Sequence, residues 1–222
     1  MEMGESARNF ASRLELRDRI VEKSRELFIV NGIKSVTMDE IASSMGISKR
    51  TLYEIFADKE ALLEMCIQKM QDEDDRFLDE VLLTARNVLE VLLKCYQRSI
   101  EKLHATNRNF FEDLKKYPKA HAQMKRRRNR DLEETVRFFM EGVRQGIFRS
   151  DVNFAIVNLL VYEQLDLLMN TDICERYSFI EVYESIMFTF IRGISTEKGA
   201  RELDEFIGQY RKRYPASGVS AR

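Results

Sequence analysis

Between Thr37 and Glu60 the chain reads TMDEIASSMGISKRTLYEIFADKE, a run that starts a helix, breaks it and starts another within 24 residues. Thr37 is an N-cap residue type, and Glu40, three positions on, is placed to reach back to it as a capping-box acid. Ile41 and Met45 share one face at i, i+4, and Gly46 is the residue type that closes a helix in the left-handed conformation. A helix is therefore expected from about Met38 to Gly46. Ser48 offers a second cap, predicting a helix over Lys49 to Ile55 that turns Leu52, Ile55 and Phe56 inward and leaves Lys49, Arg50, Thr51 and Tyr53 outward. Those four side chains carry the chemistry of phosphate and base-edge contacts. Two short helices joined by a sharp turn make a helix-turn-helix layout, which presents a helix to DNA.

The rest of the chain predicts an all-α fold. Only two prolines and nine glycines interrupt 222 residues, and long stretches without breakers favour helix. Residues 1–15 lack apolar periodicity and are expected to be frayed or an extension of helix one, which runs from Arg17 to Val30 and stops at Asn31-Gly32. Asp58 caps a fourth helix that continues toward Leu83. Amphipathic segments follow over Asn87–Leu103, Asn107–Tyr117, Lys119–Gln145, Asn153–Asn170, Phe179–Ile194 and Lys198–Arg213, with Pro118, Gly142, Gly146, Gly193 and Gly199 at the expected breaks. The division expected is a helix-turn-helix domain over 1–57, a larger helical domain over 58–213 and a disordered tail over 214–222.

Several function classes are disfavoured. Cys66, Cys95 and Cys174 are widely spaced and odd in number, with no His at ligand spacing, so neither a disulfide framework nor a metal site is expected. Two histidines, His104 and His121, with no glycine-rich phosphate loop, HExxH or GxSxG, argue against an enzyme, and no cofactor is implied. The most apolar run, Phe154 to Tyr162, contains Asn158 and is followed by Glu163, which predicts no membrane span, and a cytoplasmic protein is expected. The net charge of −1 argues at first against nucleic acid. Locally, however, Gly46 to Tyr53 carries Lys49 and Arg50 and no acid, a positive tip on a neutral body.

Over about Ile20 to Met70 the chain resembles the TetR family of transcriptional regulators. The residues that carry the resemblance are Phe28 and Gly32 at the end of helix one, Thr37 to Gly46, Ile47-Ser48, Leu52-Tyr53, Phe56, Asp58-Lys59-Glu60 and Leu62-Leu63. The resemblance implies a three-helix DNA-binding domain joined to a larger helical domain for ligand binding and dimerisation. It places the Lys49–Ile55 helix in the major groove and makes Asn153–Asn170 and Phe179–Ile194 the halves of a four-helix dimer interface. Those two segments are apolar around much of their circumference, which by itself fits either a partner subunit or a central place in the monomer. Leu160, Leu165, Leu168, Ile186 and Phe190 are the candidate interface residues.

A two-fold dimer with one reading helix per subunit predicts a palindromic operator on double-stranded DNA. Arg50 is the candidate base reader, because a guanidinium bonds O6 and N7 of guanine together; its alternative is a phosphate. Thr51 suits a thymine methyl or a phosphate, and Ser48 and Lys49 flank it. By resemblance Thr37, Tyr53 and Lys59 meet the DNA backbone. For a small-molecule inducer the candidates are Tyr96, His104, Phe110, Phe111, Phe138, Asn158 and Tyr162, an apolar set with a few polar groups that also fits packed core. The function expected is a homodimeric repressor released by a ligand of unspecified identity; the alternative is a DNA-bound scaffold of the same fold acting through a protein partner. The basic run Lys125 to Arg130, KRRRNR, is expected to be solvated surface.

Overall fold

The structure, a computed structural model, describes residues 2–128, 132–170 and 173–213. Among the described residues the chain forms twelve helices and no strand: α1 (Glu2–Asn31), α2 (Met38–Ser44), α3 (Lys49–Ile55), α4 (Lys59–Thr84), α5 (Val88–Ala105), α6 (Asn109–Leu114), α7 (Pro118–Arg128), α8 (Leu132–Arg144), α9 (Phe154–Asn170), α10 (Ile173–Arg176), α11 (Phe179–Ile194) and α12 (Glu197–Arg213). The all-α expectation holds.

Residues 2–15 extend α1. The helix stops at Gly32, whose amide donates to the Phe28 carbonyl at 3.0 Å and whose φ of +83° suits glycine. Asp58 begins α4, its carboxylate accepting the Ala61 amide at 2.7 Å. Pro118 opens α7, where its missing N–H costs nothing.

Two expected stops have another role. Gly142 lies inside α8 rather than at its end, and a Cβ there would sit 2.2 Å from the Phe148 ring. Gly199 lies inside α12, where a Cβ would be 2.4 Å from the Ile147 carbonyl oxygen. Both glycines permit close packing around the Ile147-Phe148 turn. The single segment expected over Lys119–Gln145 contains α7 and α8, and the tail over 214–222 falls outside the described residues.

The helices gather into two compact units whose limits differ from the expected 1–57 and 58–213. One comprises residues 1–76 with 101–129, the other 77–100 with 130–222. The difference arises because α4 is one uninterrupted helix and because Phe110, Leu114 and Ala120 complete the first core. That core joins Ile20, Val21 and Phe28 of α1 to Ile41, Leu52, Phe56, Leu62, Leu63 and Ile67. The second core is built on Leu89, Leu93, Phe139, Phe148, Phe154, Ile191, Ile194 and Leu203.

Candidate nucleic-acid interface

The caps set the geometry of the helix-turn-helix. The Thr37 hydroxyl accepts the Glu40 amide at 3.2 Å, and the Glu40 carboxylate accepts the Thr37 amide at 2.6 Å. The amide and hydroxyl of Thr37 hold the Glu40 carboxyl below its ordinary pKa. The chain turns through Met45 and Gly46, whose φ is +65°, and the Ile47 amide bonds back to the Ala42 carbonyl at 3.0 Å. Ser48 then caps α3, accepting the Thr51 amide at 3.0 Å, with the two hydroxyls 2.8 Å apart. Leu52 is the one fully buried residue of this helix, and truncating it to Ala would cost roughly 2 to 5 kcal/mol.

With Leu52 inward, α3 turns Lys49, Arg50, Tyr53 and Glu54 to solvent, and Thr51 is half-buried. Each cation has a carboxylate. Lys49 Nζ lies 2.7 Å from Asp39 of α2 and 6.0 Å from the centroid of the Tyr53 ring, and the Asp39 contact raises the lysine pKa. Arg50 Nε donates to Glu54 Oε1 at 2.9 Å, while the Arg50 side chain remains 88% exposed. Arg13, on the extension of α1, donates to the Glu54 carbonyl at 2.9 Å. The sequence reading missed Asp39, Glu54 and Arg13. The i, i+4 spacing of Arg50 and Glu54 was a signal; nothing local foretold the other two.

Lys59 is placed differently from the free surface cation that a backbone contact suggests. Its ammonium donates to the carbonyls of Ile33 and Val36 and lies 5.7 Å from the Phe28 ring centroid and 5.9 Å from that of Tyr117. Burial depresses its pKa, partly offset by Asp113 and Glu40. Asp113 holds the same α1–α2 connection, accepting the Lys34 amide at 2.7 Å, and Asn107 donates its amide to the Ile29 carbonyl at 2.7 Å. The scaffold behind α3 thus includes α6 as well as α1, α2 and α4.

The ligand candidates are not gathered in one unit. Phe110 is buried in the first core with Phe111 against it, and His104 is exposed in the same unit. Tyr96, Phe138, Asn158 and Tyr162 belong to the second unit, where Phe138 packs on the core and Asn158 and Tyr162 are half-buried. Tyr96 is buried among Tyr183, Phe188, Phe206 and Tyr210 at centroid distances of 5.7, 4.9, 6.2 and 5.8 Å.

Of the interface candidates, Leu160 is 53% exposed on α9 beside Ile156 and Leu159. Leu165 and Ile186 are half-buried, and Phe190 meets Phe139 edge-on in the second core. Leu168 and the Lys125 to Arg130 run fall outside the described side chains. No helix among the described residues is long and apolar enough to cross a membrane.

Residues 20–66 match the family of bacterial regulatory proteins, tetR family. The chain is 27% identical over 146 residues to the HTH-type transcriptional repressor KstR2 of Mycolicibacterium smegmatis, a match covering 64% of this chain and 71% of that protein. It is 30% identical over 118 residues to an HTH-type transcriptional regulator of Staphylococcus aureus strain bovine RF122 / ET3-1, where the match covers 46% of this chain and 64% of the relative. In fold it is similar to a TetR-family transcriptional regulator from Marinobacter aquaeolei VT8, with a TM-score of 0.65, 23% identity and coverage of 87% and 98% of the two chains. A capped two-helix module with an outward basic face, the family match over that module and the shared fold lead to one assignment: residues 20–66 are the DNA-binding domain of a TetR-family transcriptional regulator.

Proposed function

We propose that the protein is a homodimeric repressor that binds a palindromic operator through α3 and is released by a small molecule. The observation that carries the reading is α3 itself: a capped helix anchored by Leu52, with Lys49, Arg50 and Tyr53 directed to solvent. Arg50 reads a base, Thr51 and Tyr53 contact the adjoining backbone, and Lys49 supplies charge next to them. Thr37 and Ser48 act through the helix starts they cap. Lys59 has three donors, of which two serve Ile33 and Val36, so one remains for a phosphate.

The exposed Ile156, Leu159 and Leu160 of α9 support a dimer, since a contiguous apolar stripe is stable in water only when covered. A two-fold dimer sets its reading helices about 34 to 36 Å apart, the spacing of successive major grooves. Residues up to 57, with Lys59 at the start of α4, carry DNA binding and the rest of 58–213 carries dimerisation and sensing, although packing brings α6 and α7 into the first unit. The sensing part rests on the Tyr96 cluster, where a buried hydroxyl lies among four aromatic rings, the mostly apolar lining with a polar group that small-molecule sites use. Such a ligand must prefer the state that does not bind DNA, because equal affinity for both states shifts nothing.

The test is binding to an operator library at two salt concentrations. For Arg50→Ala the expected result is loss of preference at one base pair in each half-site. Equal loss on every sequence makes Arg50 a phosphate contact and removes the base-reading role.

A further inference from the structure

Arg50 stands on an exposed helix, and a free arginine there has two destinations on DNA, a base edge or the nearer and more strongly charged phosphate. We propose that Glu54 is the residue that decides between them: it is a positioning and specificity-determining residue for the DNA site, aiming Arg50 at a guanine. This rests on the proposed function, in which Arg50 reads a base.

Three observations carry it. First, the bond between the two side chains uses Arg50 Nε, at 2.9 Å from Glu54 Oε1. A guanidinium has five N–H donors, and with Nε engaged the two terminal nitrogens remain as a fork, the geometry that pairs with O6 and N7 of guanine. Secondly, the backbone that carries Glu54 is held. Its carbonyl accepts from Arg13 at 2.9 Å, so the last turn of α3 is tied to the extension of α1. Thirdly, the pair is open to an incoming ligand, with side-chain exposures of 88% for Arg50 and 55% for Glu54.

In water an exposed i, i+4 pair contributes little. Docking changes that balance. Desolvation at the protein–DNA contact strengthens the bond between the two charges, and an arginine already restrained loses less rotamer freedom on binding. The carboxylate also acts on the competing outcome. A neutral Arg–Glu couple is drawn to phosphate less than a bare guanidinium is, so Glu54 weakens binding to arbitrary sequence while favouring the one in which the fork meets a base. Specificity obtained by penalising the alternative is a general device in recognition.

The experiment is the operator library again, on full-length protein, with Glu54→Ala and Glu54→Gln beside Arg50→Ala, and with helix content and melting checked for each. Arg50→Ala should lower discrimination at its base pair by about 5- to 150-fold. Glu54→Ala should remove most of that same discrimination while raising affinity for unrelated DNA and steepening the salt dependence by about one unit. Glu54→Gln keeps the length and an acceptor for Nε but lacks the charge; it should keep much of the base preference and share the gain in non-specific affinity. A merely structural role would lower all affinities together and leave the salt slope unchanged. The proposal is overturned if Glu54→Ala, folded and binding, keeps the full preference that Arg50→Ala loses; base reading by Arg50 then survives. A uniform loss for Arg50→Ala overturns both together.

Discussion

α3 and α9 turn opposite chemistries to solvent. α3 exposes Lys49, Arg50, Tyr53 and Glu54, buries Leu52, and is held by a serine cap and ion pairs. α9 exposes Ile156, Leu159 and Leu160 at 55, 55 and 53%. A charged side chain with a carboxylate beside it is content in water until DNA arrives, whereas a stripe of isoleucine and leucine is not and calls for an apolar partner. Under the proposed function the difference separates a helix that meets a ligand transiently from one that remains covered. The largest expected effect therefore comes from α9. The double substitution Leu159→Glu, Leu160→Glu should give a folded monomer by light scattering and lower operator affinity by about 10²-fold or more, because the second half-site no longer adds to the first. A variant that stays dimeric and binds normally would break the comparison.

Lys59 sharpens it from the other side. It looks like a surface cation in the sequence, but its ammonium is folded against the Ile33 and Val36 carbonyls. Lys59→Met should cost about 1 to 3 kcal/mol in urea unfolding, the penalty for leaving buried acceptors without donors, and should weaken binding to all DNA sequences. If stability is untouched and only affinity and salt slope fall, then Lys59 is a phosphate contact alone.

What was legible in the sequence follows the range of the interaction. The bounds of α3, Lys49–Ile55, and of α11, Phe179–Ile194, follow from caps and breakers within a few residues and are the same in the structure. The four-residue α10 is too short to show a period. Asp113 meeting the Lys34 amide, and Arg13 meeting the Glu54 carbonyl, join positions 79 and 41 residues apart, which no local pattern encodes. Phe110 and Tyr96 have the same composition signal, yet one completes the core behind α1 and the other lies among the rings of α5, α11 and α12. Aromatic character announces burial; it does not say in which core.

Glu90 extends polar end-fixing to the second unit. Its carboxylate accepts the Arg86 amide at 3.0 Å and Arg86 Nε at 2.8 Å, and Lys94 lies 3.0 Å away. These contacts, the Arg86 amide foremost, draw its pKa down to about 2. A depressed carboxylate pKa means that the unfolded chain binds more protons, so stability rises with pH across the gap. The contribution is complete above about pH 5, falls as the pH drops toward 2 and is absent below. Glu90→Gln should cost about 1.5 kcal/mol at pH 7 after allowance for screening, and the difference from wild type should close as the pH approaches 2. A constant difference over that range would mean that the charge contributes nothing.

The finest comparison uses one device that occurs in both regions. Thr37 with Glu40 begins α2, and Ser178 with Glu181 begins α11, each with reciprocal bonds: the hydroxyl accepts the acid's amide at 3.2 Å in both, and the acid accepts the cap's amide at 2.6 and 2.9 Å. Both glutamates have lowered pKa values, Glu40 chiefly through the Thr37 amide and Glu181 through the Ser178 hydroxyl. The capping physics is thus matched while the surroundings differ. Thr37→Ala and Ser178→Ala should each cost about 1 kcal/mol in chemical unfolding, and each loss should shrink as the pH falls through the lowered glutamate pKa, where the acid ceases to accept two bonds as a carboxylate. Operator binding should separate them. Thr37 fixes the start of the helix that supports α3, so its loss should weaken DNA binding beyond what the stability change explains at saturating folded protein. Ser178→Ala should bind DNA as the wild type does under the same conditions. Equal effects on affinity would mean that the cap at Thr37 supports folding alone.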